Sequence, residues 1–146
     1  MDKAQQDFYQ KLRVKIKKWI ENRDQEDQKW AEYILLAPDI FHLLCKLALD
    51  PEVPASKKVK LGVVIAYFVS PLDLLPEMIL GPIGYLDDIA LSAFVLNDII
   101  NNTNPKVITR NWAGERDILD LVKTILVNAD KMVGSGLWQK LKNKLS

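Results

Sequence analysis

The sequence predicts an all-α fold, a compact multi-helix domain around an apolar helical hairpin that Pro and Gly residues punctuate. Apolar residues recur with the 3.6-residue period of a helix in segment after segment, and no segment shows the alternation of a strand. The chain has 146 residues, 49% of them hydrophobic, which suits one domain with a substantial core. We therefore predict a single helical domain over residues 1–146, with the hairpin core at about 55–101.

Three helices are predicted before the hairpin, over about residues 3–22, 27–37 and 40–48. Pro38 either ends the second helix or opens the third, since proline suits the first helical position, and the Asp50-Pro51 step closes the third. Each helix carries one apolar stripe. The stripes are Phe8, Leu12, Ile16, Trp19 and Ile20; then Trp30, Tyr33, Ile34 and Ala37; then Ile40, Phe41, Leu44, Leu47 and Ala48.

The fourth predicted helix, at about 55–69, opens the hairpin. Its residues 61–69 are apolar on all sides, which predicts that this part is buried. The Ser70-Pro71 step is expected to stop it. The stretch 61–72 is free of charge but has only twelve residues, fewer than the roughly 20 that span a membrane. Residues 61–97 therefore suit a buried core hairpin, or alternatively one that inserts into a membrane.

Four more helices are predicted after the hairpin turn, over about residues 85–101, 105–112, 115–133 and 137–145. Asn104 followed by Pro105 reads as an N-cap with proline at the first helical position. Glycine is expected to end two of these helices, at Gly114 and Gly134. The helix at 115–133 has the clearest stripe, formed by Ile118, Leu121, Val122, Ile125, Ala129, Met132 and Val133.

Charge is distributed unevenly although the chain as a whole carries only +1. Residues 1–23 carry net +4, residues 24–130 net −7 and residues 131–146 net +4. The small total charge predicts no nucleic-acid partner. The basic ends are either solvated helix faces or contacts to an anionic surface.

Two features of the sequence indicate the compartment in which the protein works, namely the N-terminus and the single cysteine. Residues 1–22 are charged throughout and lack the apolar centre of a secretion signal. Cys45 is the single cysteine, so it forms no intramolecular disulfide, which fits a reducing compartment. We expect a cytoplasmic protein, peripheral at the inner face of the membrane if its basic ends bind lipid.

Residues 70–77, with the sequence SPLDLLPE, begin the one motif that rises above background. Ser70 as N-cap, Pro71 at the first helical position and Asp73 at the third would form a capping box with Asp in place of Glu. Pro76 cannot lie within a helix without losing a hydrogen bond, so the chain is expected to kink or restart there. Glu77 follows directly.

Residues 81–88, with the sequence GPIGYLDD, complete the motif. Gly81 and Gly84 permit a tight reversal of the chain. Asp87 and Asp88 are then expected in the first turn of the next helix, where the helix dipole favours negative charge.

With this motif the chain resembles the YkvA-like family, whose signature is an S-P-x-D-L-x-P-[DE] turn, a Gly-containing loop and an Asp-Asp pair. The resemblance covers about residues 55–100 and implies a small helical bacterial or archaeal protein, often predicted to be membrane-associated. It implies no catalytic activity. The matching residues are Ser70, Pro71, Asp73, Leu74, Pro76, Glu77, Gly84, Asp87 and Asp88.

The motif's four acidic residues have three alternative roles. They could cap helix starts, bind Mg²⁺ or Ca²⁺ through oxygen ligands, or share a proton as an acid–base pair. Capping is the preferred interpretation because each cap contributes about 1 kcal/mol. We predict no catalytic residue, no metal and no cofactor. The four residues are Asp73, Glu77, Asp87 and Asp88.

His42 and Cys45 lie three residues apart on one predicted helix. Two ligands do not make a metal site, so both are expected to serve packing.

The predicted function is that of a non-enzymatic helical protein that binds a protein partner or an anionic membrane surface. Trp19 and Trp138 lie on basic amphipathic segments, as in interfacial helices. The same pattern suits surface helices that pack on their own domain, which is the preferred interpretation. The alternative function is a divalent-cation-dependent enzyme that uses the acidic turn. The sequence indicates no oligomeric state.

Overall fold

The structure, a computed structural model, describes residues 3–22, 31–74, 85–114 and 116–133. Within these ranges the chain forms seven α-helices and no strand, which confirms the all-α prediction. The helices are α1 Lys3–Asn22, α2 Ala31–Ile34, α3 Ala37–Leu49, α4 Ala55–Leu74, α5 Tyr85–Asn102, α6 Lys106–Asn111 and α7 Ile118–Val133. The helix predicted at 137–145, with Trp138, lies outside the described residues.

Three aromatic rings connect α1, α3 and α4 at the centre of the core. The Phe8 ring centroid lies 4.6 Å from that of Phe41, which in turn lies 5.8 Å from that of Phe68 in an edge-on arrangement. All three side chains are buried, as are Leu12 and Ile16. Phe8, Leu12 and Ile16 of the α1 stripe therefore pack on the domain itself. The side chains of Trp19 and Ile20 lie outside the described part of the chain, so the interpretation of Trp19 stays a prediction.

α5 is the central helix of the bundle, since it packs against α2, α3, α4 and α7. Its buried residues are Ile89, Ala90, Leu91, Ser92, Ala93, Val95, Leu96 and Ile99. The helical hairpin of α4 and α5 predicted at about 55–101 is thus present.

Several predicted helix boundaries are confirmed. Pro38 lies in the first turn of α3 and opens that helix. Asp50 ends α3, with its N–H donating to the carbonyl of Leu47. Asn104 caps α6, because its Oδ1 accepts a hydrogen bond from the N–H of Lys106 at 3.0 Å.

The start of α7 differs from the prediction by three residues. The helix begins at Ile118 rather than at residue 115. Asp117 is the reason, since its Oδ1 accepts a hydrogen bond from the N–H of Leu119 at 3.0 Å and so caps the helix start.

The prediction that Ser70-Pro71 stops the fourth helix is wrong, because α4 continues through both residues to Leu74. Ser70, Pro71 and Asp73 therefore do not form a capping box at a new helix start. The backbone angle that proline imposes is helical, so continuing costs the missing N–H bond to the carbonyl of Tyr67 and the crowding of the proline ring against that carbonyl. Tyr67 lies on an exposed face of α4, where water can satisfy that carbonyl.

The prediction that residues 61–69 are buried is confirmed for only part of this stretch. Leu61, Val64 and Phe68 are fully buried, but Val63 and Tyr67 remain 38% and 36% exposed. The reason is that α4 packs against α3 and α5, which cover only one side of the helix.

None of the described helices combines the length and the apolar character that crossing a membrane requires.

Candidate functional site

The motif of residues 70–88 lies where α4 joins α5. Ser70, Pro71 and Asp73 belong to the last five residues of α4. Asp87 and Asp88 are the third and fourth residues of α5, which confirms their expected place in its first turn. Pro76, Glu77 and Gly84 lie outside the described residues. The roles of the four acidic residues therefore stay predictions, and among the described residues no group of three or more His, Cys, Asp or Glu is arranged to hold a metal ion.

An ionic contact fastens the other end of this hairpin. The Lys57 Nζ lies 2.6 Å from Oδ2 of Asp98 on α5, and the Lys60 Nζ lies 3.5 Å from the same oxygen. The hydrogen bond from Lys57 lowers the pKa of Asp98. Lys57 and Lys60, near the start of α4, thus hold the two helices of the hairpin together.

A second ionic cluster ties the end of α3 to α6. The buried carboxylate of Asp50 accepts hydrogen bonds from Arg110, from Asn111 Nδ2 at 2.9 Å and from the N–H of Glu52 at 2.9 Å. The hydrogen bonds from Arg110 and Asn111 lower the pKa of Asp50 to about 2. This cluster has a structural role, because it satisfies a buried charge completely.

A groove between α1 and α3 gathers the remaining perturbed groups. Tyr9, Arg13 and Asp39 line one part, and Tyr9 and His42 line the next. Burial raises the pKa of Asp39 and lowers the pKa of His42. The described residues that line the two parts include no Ser, Thr or Cys, so among them the Tyr9 phenol is the one hydroxyl and there is no thiol.

His42 and Cys45 have the packing roles that the sequence predicted. Cys45 is fully buried. His42 is half-buried, with its ring centroid 5.6 Å from that of Tyr9. Its Nδ1 is buried without a hydrogen-bond partner among the described residues.

The solvent side of α1 is strongly basic. Among the side chains described in this helix, five cations are exposed and Asp7 is the one exposed acid. The guanidinium of Arg13 also lies 5.6 Å from the centroid of the Tyr9 ring. We call this set the α1 basic face. Its exposed cations are Lys3, Lys11, Arg13, Lys17 and Lys18.

The solvent side of α4 is apolar. Val59 is 69% exposed, and Val63 and Tyr67 follow at four-residue spacing. Gly62 and Ala66 lie beside them and are exposed as well. We call these five residues the α4 outer surface. The helix has no charged residue between Lys60 and Asp73, which is unusual for a face in contact with water.

Reasoning from the sequence missed Asp39, Asp50 and Arg110. Asp39 and His42 share one helix face at a spacing of three, which was a usable signal. Asp50 and Arg110 are separated by 60 residues, and no local pattern connects them.

Comparison with known proteins agrees with the motif. Residues 57–94 match the family described as "Protein of unknown function (DUF1232)", which is the YkvA-like family, so the resemblance is confirmed. The matched segment contains α4 from its third residue onward, with its outer surface, and the first half of α5. The chain is also 31% identical over 98 residues to "Uncharacterized protein ORF9" of Methanothermobacter thermautotrophicus, covering 67% of each chain. No solved structure is significantly similar.

Proposed function

This chain belongs to the DUF1232 family of proteins of unknown function, and we propose that it is a non-enzymatic domain that binds an anionic membrane surface peripherally, on the cytoplasmic side. The α1 basic face carries this proposal. Among the side chains described in this helix, it presents five exposed cations against one exposed acid. Each Lys or Arg near an anionic surface contributes about 1 kcal/mol, so the face is sufficient for reversible attachment.

The contact is electrostatic rather than inserted. Phe8, Leu12 and Ile16 are buried in the core and are not available to enter lipid. Binding should therefore weaken as salt shortens the Debye length. The basic tail, residues 131–146, would add to the attraction by its net charge of +4.

A planar surface suits the charge distribution better than a nucleic acid does. Residues 24–130 carry net −7 and would repel any polyanion that wraps around the domain. A membrane touches one side only, so the acidic part of the domain can face away from it.

Co-sedimentation with liposomes tests the proposal. The wild type should bind vesicles that contain anionic lipid, bind neutral vesicles weakly, and be released by high salt. A Lys11→Gln/Lys17→Gln variant loses two cations of the α1 basic face and should bind about thirtyfold more weakly.

A matched control removes the same charge elsewhere. Lys106 on α6 and Lys123 on α7 are exposed, and the Lys106→Gln/Lys123→Gln variant should bind like the wild type. Equal losses in both variants would mean that only total charge matters. Absence of binding to anionic vesicles would refute the membrane proposal and favour a protein partner.

A further inference from the structure

We propose that this protein forms a homodimer in which the α4 outer surface of one copy packs against the same surface of a second copy, with the two helices antiparallel. This contact lies on a different helix from the α1 basic face, so it goes beyond the proposed membrane attachment and stands or falls separately from it.

The first argument is the exposed apolar area. Val59, Val63 and Tyr67 are 69%, 38% and 36% exposed and lie on consecutive turns of α4. A helix face in contact with water normally carries charged or polar residues. A continuous apolar face that the described part of the domain leaves uncovered is typical of an interaction site.

The second argument is Gly62, in the interior of α4. Glycine is less favourable than alanine within a helix, so it needs a reason there. Its helical conformation does not require glycine, and a Cβ added at Gly62 would meet no atom within 4 Å. The described fold thus leaves open space at this position. A second helix that approaches closely would explain the glycine, because small residues let helix backbones come together.

The third argument is charge complementarity along α4. Lys58 precedes the outer surface, and Asp73 follows it. If Gly62 of one copy lies opposite Ala66 of the other in an antiparallel pair, residue 58 lies opposite residue 70. Lys58 then comes within one helical turn of the second copy's Asp73, and the two-fold axis repeats the contact. A parallel pair would place lysine beside lysine.

These observations favour a second copy over other occupants. An anionic bilayer would attract Lys58 but repel Asp73. A fluid lipid surface also adapts to side chains of any size, so it would not explain a glycine at position 62. The tail of this chain at 137–145 contains three lysines and no acid, so it would complement only the acidic end.

Sedimentation velocity of the full chain tests the dimer. The wild type should shift from monomer to dimer as its concentration rises from low micromolar to submillimolar. Val63→Glu places a charge at the centre of the contact, and Gly62→Leu fills the gap between the helices. Each should weaken dimerisation by about tenfold or more.

Two features keep this test specific. Leucine is a better helix former than glycine and enters open space, so Gly62→Leu should remain folded with an unchanged or higher Tm. Val127→Glu is the matched control, since Val127 is 82% exposed on α7. It should dimerise like the wild type.

Cysteine cross-linking tests the direction of the pair. Val63 and Ser56 are both exposed, while the native Cys45 is buried. Oxidation should link Val63→Cys chains into covalent dimers, because the antiparallel register holds the two copies of residue 63 only about 3 Å apart along the axis. It should not link Ser56→Cys chains, which an antiparallel pair holds about 24 Å apart along the axis.

Three results would overturn the proposal. A wild type that stays monomeric at every concentration excludes the dimer. A dimer that both Val63→Glu and Gly62→Leu leave intact places the contact elsewhere. A monomer whose binding to neutral vesicles is weakened by Val63→Glu assigns the α4 outer surface to lipid.

Discussion

Arg110 on α6 donates hydrogen bonds to both carboxylate oxygens of Asp50 at the end of α3, with its Nη2 2.8 Å from Oδ1 and 2.8 Å from Oδ2. The Asp50 side chain is 7% exposed, while that of Arg110 is 46% exposed. The contact therefore holds a buried anion with a cation that water still reaches.

Removing this anion should destabilise the fold. We expect Asp50→Ala to lower the free energy of unfolding by about 2–3 kcal/mol, because it deletes charge-assisted hydrogen bonds from Arg110 and from Asn111. Urea denaturation measures the loss. Glu52→Ala is the control. The Glu52 side chain also contacts Arg110 but is 59% exposed. Its removal should therefore lower the free energy of unfolding by less than about 1 kcal/mol.

A double mutant tests whether Asp50 acts through Arg110. If it does, adding Arg110→Ala to Asp50→Ala should lower the free energy of unfolding only slightly further, because the two residues share one interaction. Fully additive losses would show that the pair is not coupled.

The Asp50 carboxylate should also make the stability of the fold depend on pH. Asp50 has a pKa of about 2 in the fold, against an ordinary value of 3.8. The unfolded chain therefore takes up the proton first, and the Asp50 contribution, complete above about pH 4, is lost as the pH falls to about 2. Urea midpoints measured between pH 6 and pH 2 should fall more steeply in the wild type than in Asp50→Asn. Parallel curves would contradict this assignment.

The acidic turn should not bind a divalent cation tightly. A cation that binds only the folded state must raise stability with its concentration. We expect millimolar Mg²⁺ or Ca²⁺ to leave the Tm unchanged in the wild type and in a Glu77→Gln/Asp88→Asn variant. A Tm that rises in the wild type alone would revive the alternative of a cation-dependent enzyme.

The sequence by itself determined the helices and many of the residues at which they begin or end. α1 and α5 follow their apolar stripes to within one residue of the prediction. Pro38 opens a helix and Asn104 caps one because these effects depend only on neighbouring backbone groups. The motif at 70–88 likewise indicated the family, since short-range spacing identifies it.

Only the tertiary structure decided which sides of the helices are covered. The sequence shows residues 61–69 of α4 as apolar all round, but burial of Phe68 and exposure of Val63 depend on where α3 and α5 lie. The helix also continues through Pro71, because the local cost of the proline does not outweigh the packing of the buried side of α4. Asp50 and Arg110 meet for the same reason. Contacts between distant segments follow from how helices pack, and no local pattern of residues contains that information.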